Sequence, residues 1–121
     1  MTTFDRSAQA ATALQLATAR RHAHAAYRRR LASLPKPDAL ATIADTVRRN
    51  PPDLAGLKLE MCFRSVYGWG PRQSRRFAAA IGGGDVYVRI RDLTPGQREV
   101  IAGTLDDIVA REPGIVVKAG A

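Results

Sequence analysis

The chain has 121 residues, of which 45% are hydrophobic and 25% are charged, as in one folded domain with a modest core. Its 19 Lys and Arg residues outnumber its 11 Asp and Glu residues, so the formal net charge is +8. So basic a domain favours a polyanionic partner, which we expect to be nucleic acid rather than an anionic membrane or an acidic protein. The single cysteine excludes a disulfide within one chain and any zinc cluster built on several cysteines.

Three of the basic residues are lysines and the rest are arginines, whose planar guanidinium suits bidentate contact with phosphate. A GC-rich genome would explain the preference for arginine, but it would not explain the excess of positive charge. No N-terminal signal segment and no run of eighteen apolar residues is found, so we expect a cytoplasmic protein.

Residues 5–33 contain neither Gly nor Pro and predict one long helix that Ser7 could cap. Its apolar residues form a thin stripe, and basic residues flank that stripe. The stripe consists of Leu16, Ala23, Tyr27 and Leu31. The flank consists of Arg20, Arg21, His24, Arg28 and Arg29. This helix could dock on a core and offer positive charge to a partner, or its basic side could simply be solvated.

A second helix is predicted from Pro37 or Asp38 to the stop at Asn50-Pro51-Pro52. Its residues Leu40, Ile43, Ala44 and Val47 have the spacing of a buried face. We interpret Arg48 and Arg49 as charges that complement the C-terminal end of the helix dipole, in preference to a binding role.

A third helix is predicted within residues 53–68, where the apolar side chains face the core. They are Leu57, Met61, Cys62, Phe63 and Val66. We interpret the adjacent sulfur-containing residues as packing rather than chemistry.

A fourth helix is predicted from Pro71, with Phe77, Ala78 and Ile81 inward, until Gly82–Gly84 end it. Residues 85–93 alternate like a strand, but since no second strand is predicted we expect an extended connector. Thr94, Pro95 and Gln97 predict a capping box for a last helix whose inward residues follow. These are Val100, Ile101, Leu105 and Ile108. Residues 111–121 are interpreted as a tail packed through Ile115 and Val116.

The stretch VYGWGPRQSRR, residues 66–76, raises a functional question because two glycines flank Trp69 and arginines follow Pro71. Glycines permit a tight turn, and the N–H groups that begin the next helix favour an anion. Together with Arg72, Arg75 and Arg76, such a turn would hold phosphate without reading base sequence. The alternative is a plain helix connection in which Trp69 fills the core.

The order of features from this turn onward resembles the C-terminal part of the actinobacterial integration host factors. The matching positions are Gly68 and Gly70 in the turn, Arg89 and Arg91 in the connector, and Leu93, Gln97 and Arg98. With the similar first helix, the resemblance covers residues 10–106. The chain departs from the family pattern at Pro71, Val88 and Asp92, where positive charge or flexibility is usual, so a divergent or phage-borne member is one interpretation.

The resemblance implies a nucleoid-associated protein with an all-α, helix–two-turns–helix (helix–hairpin–helix-like) domain that binds double-stranded DNA largely independently of sequence. We expect a monomer. It implies two DNA-facing surfaces: the turn with its connector, and the long helix. The expected DNA-binding residues are Gly68, Trp69, Gly70, Arg72, Arg75, Arg76, Arg89, Arg91, Arg20, Arg21 and Arg28. Residues 5–33 would be the basic helix, 37–110 the core and 111–121 the tail. Chromosome organisation or site-specific recombination would be the biological setting.

Other functions remain as alternatives. We expect no enzyme, cofactor or metal, because no nucleophile, base and carboxylate stand in a catalytic pattern and neither His22/His24 nor Asp106/Asp107 has metal-ligand spacing on a helix. RNA binding is the stronger alternative, with Tyr67, Trp69 and Tyr87 as the aromatic side chains that could stack on bases. Binding to an acidic protein is another.

Overall fold

The computed structural model describes residues 2–81 and 87–111, with side chains from Ser7 onward. The described part is all-α. Five α-helices, α1 to α5, span Thr2–Ser33, Lys36–Arg49, Leu59–Arg64, Pro71–Ile81 and Pro95–Arg111, and a short 3₁₀ helix spans Ile90–Asp92. The predicted glycine end of the fourth helix and the tail contacts of Ile115 and Val116 lie outside the described residues.

The core forms where α2 packs on α5 and α3 packs on α4, while α1 contacts α2 and α3. Fully buried side chains from all of these layers meet there, including Leu31, Leu40, Ile43, Phe63, Ile90, Ile101 and Leu105. Cys62 is among them, and burial raises the pKa of its thiol to about 12, so packing is its role as predicted.

Helix α1 reaches far beyond this core. Its 32 residues span about 48 Å, at about 1.5 Å per residue. Tyr27 and Leu31 are buried, whereas Leu16 is 52% exposed and Leu14 64% exposed. The predicted apolar stripe is therefore wrong at Leu16, because only the C-terminal part of the helix meets other elements. The cap at Ser7 is also wrong, since the helix already begins at Thr2.

Local signals at the other helix ends agree with the structure. Asn50 ends α2 in the left-handed conformation, with φ 46°, and its N–H donates to the Thr46 carbonyl over 2.8 Å. Helix α4 begins at Pro71. The capping box before α5 is confirmed, since the Thr94 N–H donates to Gln97 Oε1 over 2.9 Å and the Gln97 N–H donates to Thr94 Oγ1 over 3.1 Å.

Two predictions about the core residues need correction. Helix α3 is only six residues long, and Leu57 is buried in the turn before it rather than on the helix. Val100 is 63% exposed. It lies about 100° around α5 from the buried Ile101, so it does not share the buried face.

The sequence predicts an extended connector over residues 85–93. Arg89 and Leu93 are extended, but Ile90–Asp92 forms the 3₁₀ helix, so the prediction is wrong there. The connector backbone also has a partner. The Leu59 N–H donates to the Val88 carbonyl over 2.9 Å, and the Ile90 N–H donates to the Leu57 carbonyl over 3.1 Å. The Arg91 N–H donates to the Ala55 carbonyl over 2.8 Å. A short irregular ribbon, residues 55–59 against 88–91, therefore replaces the missing second strand and draws the connector toward α1 and α3.

Candidate nucleic-acid interface

A cleft of about 570 Å³ opens where α1, α3 and the connector meet. Its cationic side chains come from three segments that are distant in sequence: α1, α3 with the turn before it, and the connector. These side chains are Arg21 and Arg28 of α1, Lys58 of the turn before α3, Arg64 of α3, and Arg89 of the connector. The other lining residues are His24, Gly56, Leu57, Glu60, Met61 and Tyr87. We call this set the basic cleft.

The charges in the basic cleft are poorly balanced. Glu60 supplies the one carboxylate among the described lining residues, and it is buried in an ion pair with Arg64, four residues later on α3. Within residues 2–81 and 87–111, Arg21 and Arg28 form no ion pair with a carboxylate. An anion entering the cleft would therefore meet Arg21 and Arg28, whose charges are not paired with a carboxylate of the described residues.

His24 lines the basic cleft and has a lowered pKa. Burial lowers its pKa below the usual 6.5, and the nearby charges of Arg28, Arg89 and Arg20 lower it further, while a hydrogen bond with the backbone of Asp53 acts in the opposite direction. Its Nε2 atom is buried and has no hydrogen-bond partner in the described part of the chain. The imidazole is therefore mainly neutral at pH 7.

Arg89 lines the basic cleft and also holds the connector in place. Its guanidinium Nη1 donates a hydrogen bond to the Gly56 carbonyl, which ties the connector to the turn before α3. Arg91 is more exposed, and its guanidinium lies beside the same glycine, since a Cβ built on Gly56 would be 3.8 Å from Arg91 Nη1. The connector thus places one arginine in the cleft and the other at its edge.

The turn before α4 lies outside the basic cleft. Gly68 has φ 86°, a left-handed conformation that glycine adopts without strain, whereas Gly70 has no positive φ. Of the two glycines expected to permit a tight turn, only Gly68 therefore has a backbone angle that favours glycine. None of the residues from 66 to 76 lines the basic cleft.

Trp69 packs against the core at this turn. Its ring lies 5.7 Å from that of Phe63 and 5.2 Å from that of Phe77, measured between centroids, and the Lys36 ammonium is 5.7 Å from the indole centroid. Its Nε1 is buried without a partner among the described atoms. This is the packing alternative considered above, and a contact between Trp69 and DNA stays a prediction.

The arginines that follow the turn form a separate cationic face. Arg72, Arg75 and Arg76 are all exposed, and their spacing puts them on one side of α4, opposite the buried Ser74 and Ala78. We call them the α4 face. The structure thus groups the predicted residues differently from the expectation: Arg89 joins Arg21 and Arg28, and the turn stands apart from the connector.

Sequence reasoning missed Lys58 and Arg64 as parts of the site. Lys58 directly precedes α3, and Arg64 stands four residues after Glu60 on that helix. The Glu60–Arg64 spacing was a readable signal of a helical ion pair. Its placement in the cleft was not readable, because it depends on the packing of α1 and the connector around α3.

Arg48 and Arg49 make ion pairs elsewhere. Arg48 Nη1 lies 2.8 Å from Asp106 Oδ2, and its Nε lies 3.5 Å from Glu99 Oε1, which links α2 to α5. Arg49 Nε lies 3.0 Å from Asp45 Oδ1 on its own helix. These contacts agree with a structural rather than a binding role.

No cluster of three or more His, Cys, Asp or Glu suited to a metal ion occurs in the part of the chain that the structure describes. None of its helices carries an apolar stretch long enough to cross a bilayer. Comparisons with family models, curated proteins and solved structures gave no match.

Proposed function

We propose that this protein binds double-stranded DNA through its phosphates, largely independently of base sequence, as a nucleoid-associated protein of the actinobacterial integration-host-factor type. The observation that carries the proposal is the basic cleft, where five cationic side chains from three segments meet and the one carboxylate among the described lining residues is already paired. The helix–two-turns–helix arrangement that the family resemblance implies is part of the same proposal.

The chemistry of the cleft suits phosphate. Four of its five cations are guanidinium groups, which match two phosphate oxygens at once and stay charged at any physiological pH. Phosphate contacts of this kind fix a protein on a duplex without conveying sequence, because every nucleotide carries the same group. Binding should therefore be strongly dependent on salt and weakly dependent on sequence.

The α4 face supplies a second surface on the same small body. Its exposed arginines follow the N-terminus of α4, where the helix dipole also favours negative charge. Two cationic surfaces could hold one bent duplex or bridge two duplexes, which suits a role in chromosome organisation or recombination. A DNA end-to-end distance that does not change on binding would argue against bending.

The test is the affinity for a duplex of about 20 base pairs, measured across a salt series. We expect log K to fall linearly with log salt, with a slope of about −0.9 for each phosphate contacted and about −3 to −6 in total. Duplexes of unrelated sequence should give about the same slope. Absence of binding at low salt would refute the proposal.

RNA is the second candidate, favoured by one observation. Tyr87 lines the basic cleft and is 54% exposed, so it offers an aromatic surface beside cations, as RNA-binding sites often do. Competition between the duplex and a structured RNA of equal length separates the two. Displacement of the duplex by equimolar or lower amounts of RNA would replace the DNA proposal with an RNA one.

A further inference from the structure

The basic cleft has features that the phosphates of an intact duplex do not need. Its volume of about 570 Å³ is comparable to the roughly 300–1,000 Å³ of small-ligand pockets, although the cleft is open to solvent. Leu57, Met61 and Tyr87 give it apolar and aromatic walls in addition to its charges. Duplex phosphates lie on the outside of the double helix and can be held by surface cations alone.

Tyr87 and Lys58 form the part of the cleft that combines both properties. The Lys58 ammonium lies 5.4 Å from the centroid of the Tyr87 ring, and Tyr87 remains 54% exposed. Nucleobases stack on aromatic side chains of this kind irrespective of their sequence. Because the Lys58 ammonium lies over one face of the ring, a base would stack on the other face, and we expect the phosphate of that nucleotide to meet the cleft's cations. Among them, Arg89 is held in place by the Gly56 carbonyl.

We propose that the basic cleft binds a nucleoside phosphate, in the form of one unpaired nucleotide of a DNA strand. This inference rests on the proposed DNA binding and deepens it. In an intact duplex the bases are stacked inside the helix, and taking one out costs free energy, least where it is already unpaired. The protein should therefore prefer DNA with a bulged nucleotide over a fully paired duplex.

The experiment compares two DNA molecules, a duplex of about 20 base pairs and the same duplex with one extra unpaired nucleotide at its centre. The measured quantity is the ratio of the two dissociation constants at one salt concentration. For the unaltered protein we expect the bulged DNA to bind about five-fold to 150-fold more tightly, the range given by one base stacked on one aromatic ring.

Substitutions of Tyr87 test whether this preference for bulged DNA arises from the basic cleft. Tyr87→Ala should bring the ratio close to one, while Tyr87→Phe should keep it, because the phenyl ring can still stack. Tyr67→Ala is the matched control: Tyr67 is 80% exposed and does not line the cleft, so the ratio should stay as in the unaltered protein. A preference that survives Tyr87→Ala would overturn the inference.

The outcomes separate this inference from the proposed function. Equal, salt-dependent binding of both DNA molecules would overturn the inference and leave the proposed function standing. If neither DNA binds, titration with deoxyadenosine monophosphate shows whether the cleft binds a free nucleotide. Binding that Tyr87→Ala weakens would keep the cleft as a site for a free nucleotide and refute DNA binding. If deoxyadenosine monophosphate does not bind either, both the inference and the proposed function are overturned.

Discussion

Arg89 donates a hydrogen bond from its guanidinium to the backbone carbonyl of Gly56, and the two residues are 33 positions apart in the chain. The bond joins the connector to the turn before α3, beside the backbone pairing of residues 55–59 with 88–91. One side chain thus shapes the basic cleft and supplies part of its charge. Loss of Arg89 should affect both stability and binding.

Replacing Arg89 by alanine should lower the free energy of unfolding by about 1–2 kcal/mol, because the Gly56 carbonyl loses a charged donor. Arg91→Ala should have a smaller effect, since the contact of its exposed guanidinium with Asp92 is 4.0 Å long and its backbone bond to Ala55 is retained. Urea unfolding of both variants measures this difference. Equal stability of the two would show that the Arg89–Gly56 bond contributes little.

Arg28→Gln should weaken duplex binding and make the salt slope less steep by about one, the change for one lost phosphate contact. Arg29→Gln removes the same charge one residue later on α1, but Arg29 is exposed and does not line the basic cleft, so its effect should be clearly smaller. The measurement is the affinity of each variant across the salt series. Equal losses would mean that general charge, and not the cleft, drives binding.

The double variant Arg89→Ala, Arg91→Ala should weaken binding by about the same factor on all duplex sequences, because phosphate contacts carry no sequence information. Affinities for several unrelated duplexes test this. They are measured without urea, at a temperature at which circular dichroism shows that the variant is folded. A loss confined to one sequence would point to base readout.

The affinity for DNA should rise as the pH falls from about 7.5 towards about 5.5. In the free protein the pKa of His24 is below 6.5 because of burial and of the charges of Arg28, Arg89 and Arg20. A bound phosphate stabilises the imidazolium and so raises that pKa. The complex then takes up a proton in the window between the two pKa values, which by linkage strengthens binding as the pH is lowered.

Histidine variants test this origin of the pH dependence. His24→Gln should flatten the affinity–pH profile. His22→Gln should leave the profile unchanged, because His22, two residues earlier in α1, is exposed and does not line the cleft. The profile is measured at constant ionic strength. Identical profiles for the two variants would assign the titration to other groups.

Gly68→Ala should destabilise the protein by about 1–2 kcal/mol, because an L-residue at φ 86° brings its Cβ too close to the backbone. Gly70→Ala has no such strain, and a Cβ at that position would have no heavy atom within 4 Å, so its effect should be small. Thermal unfolding of both variants checks the contrast. Comparable melting temperatures would show that the turn can adopt another conformation.

The parts of the fold that could be predicted depend on neighbours in sequence. The all-α class, the start of α4 at Pro71, the end of α2 at Asn50 and the Thr94–Gln97 capping box follow from backbone preferences and hydrogen bonds within a few residues. Such signals are present in the chain before any tertiary contact forms. The excess of positive charge is likewise a property of the sequence.

Tertiary packing decided which residues share a surface. Leu16 repeats the spacing of Tyr27 and Leu31, yet it is exposed because α1 extends past the elements that could cover it. The arginines of the basic cleft are likewise brought together by packing. Arg21 and Arg28 meet Arg89 only because the connector pairs with the turn before α3, a contact between segments about thirty residues apart. Periodicity within one helix specifies a face but carries no information about the element that packs against it.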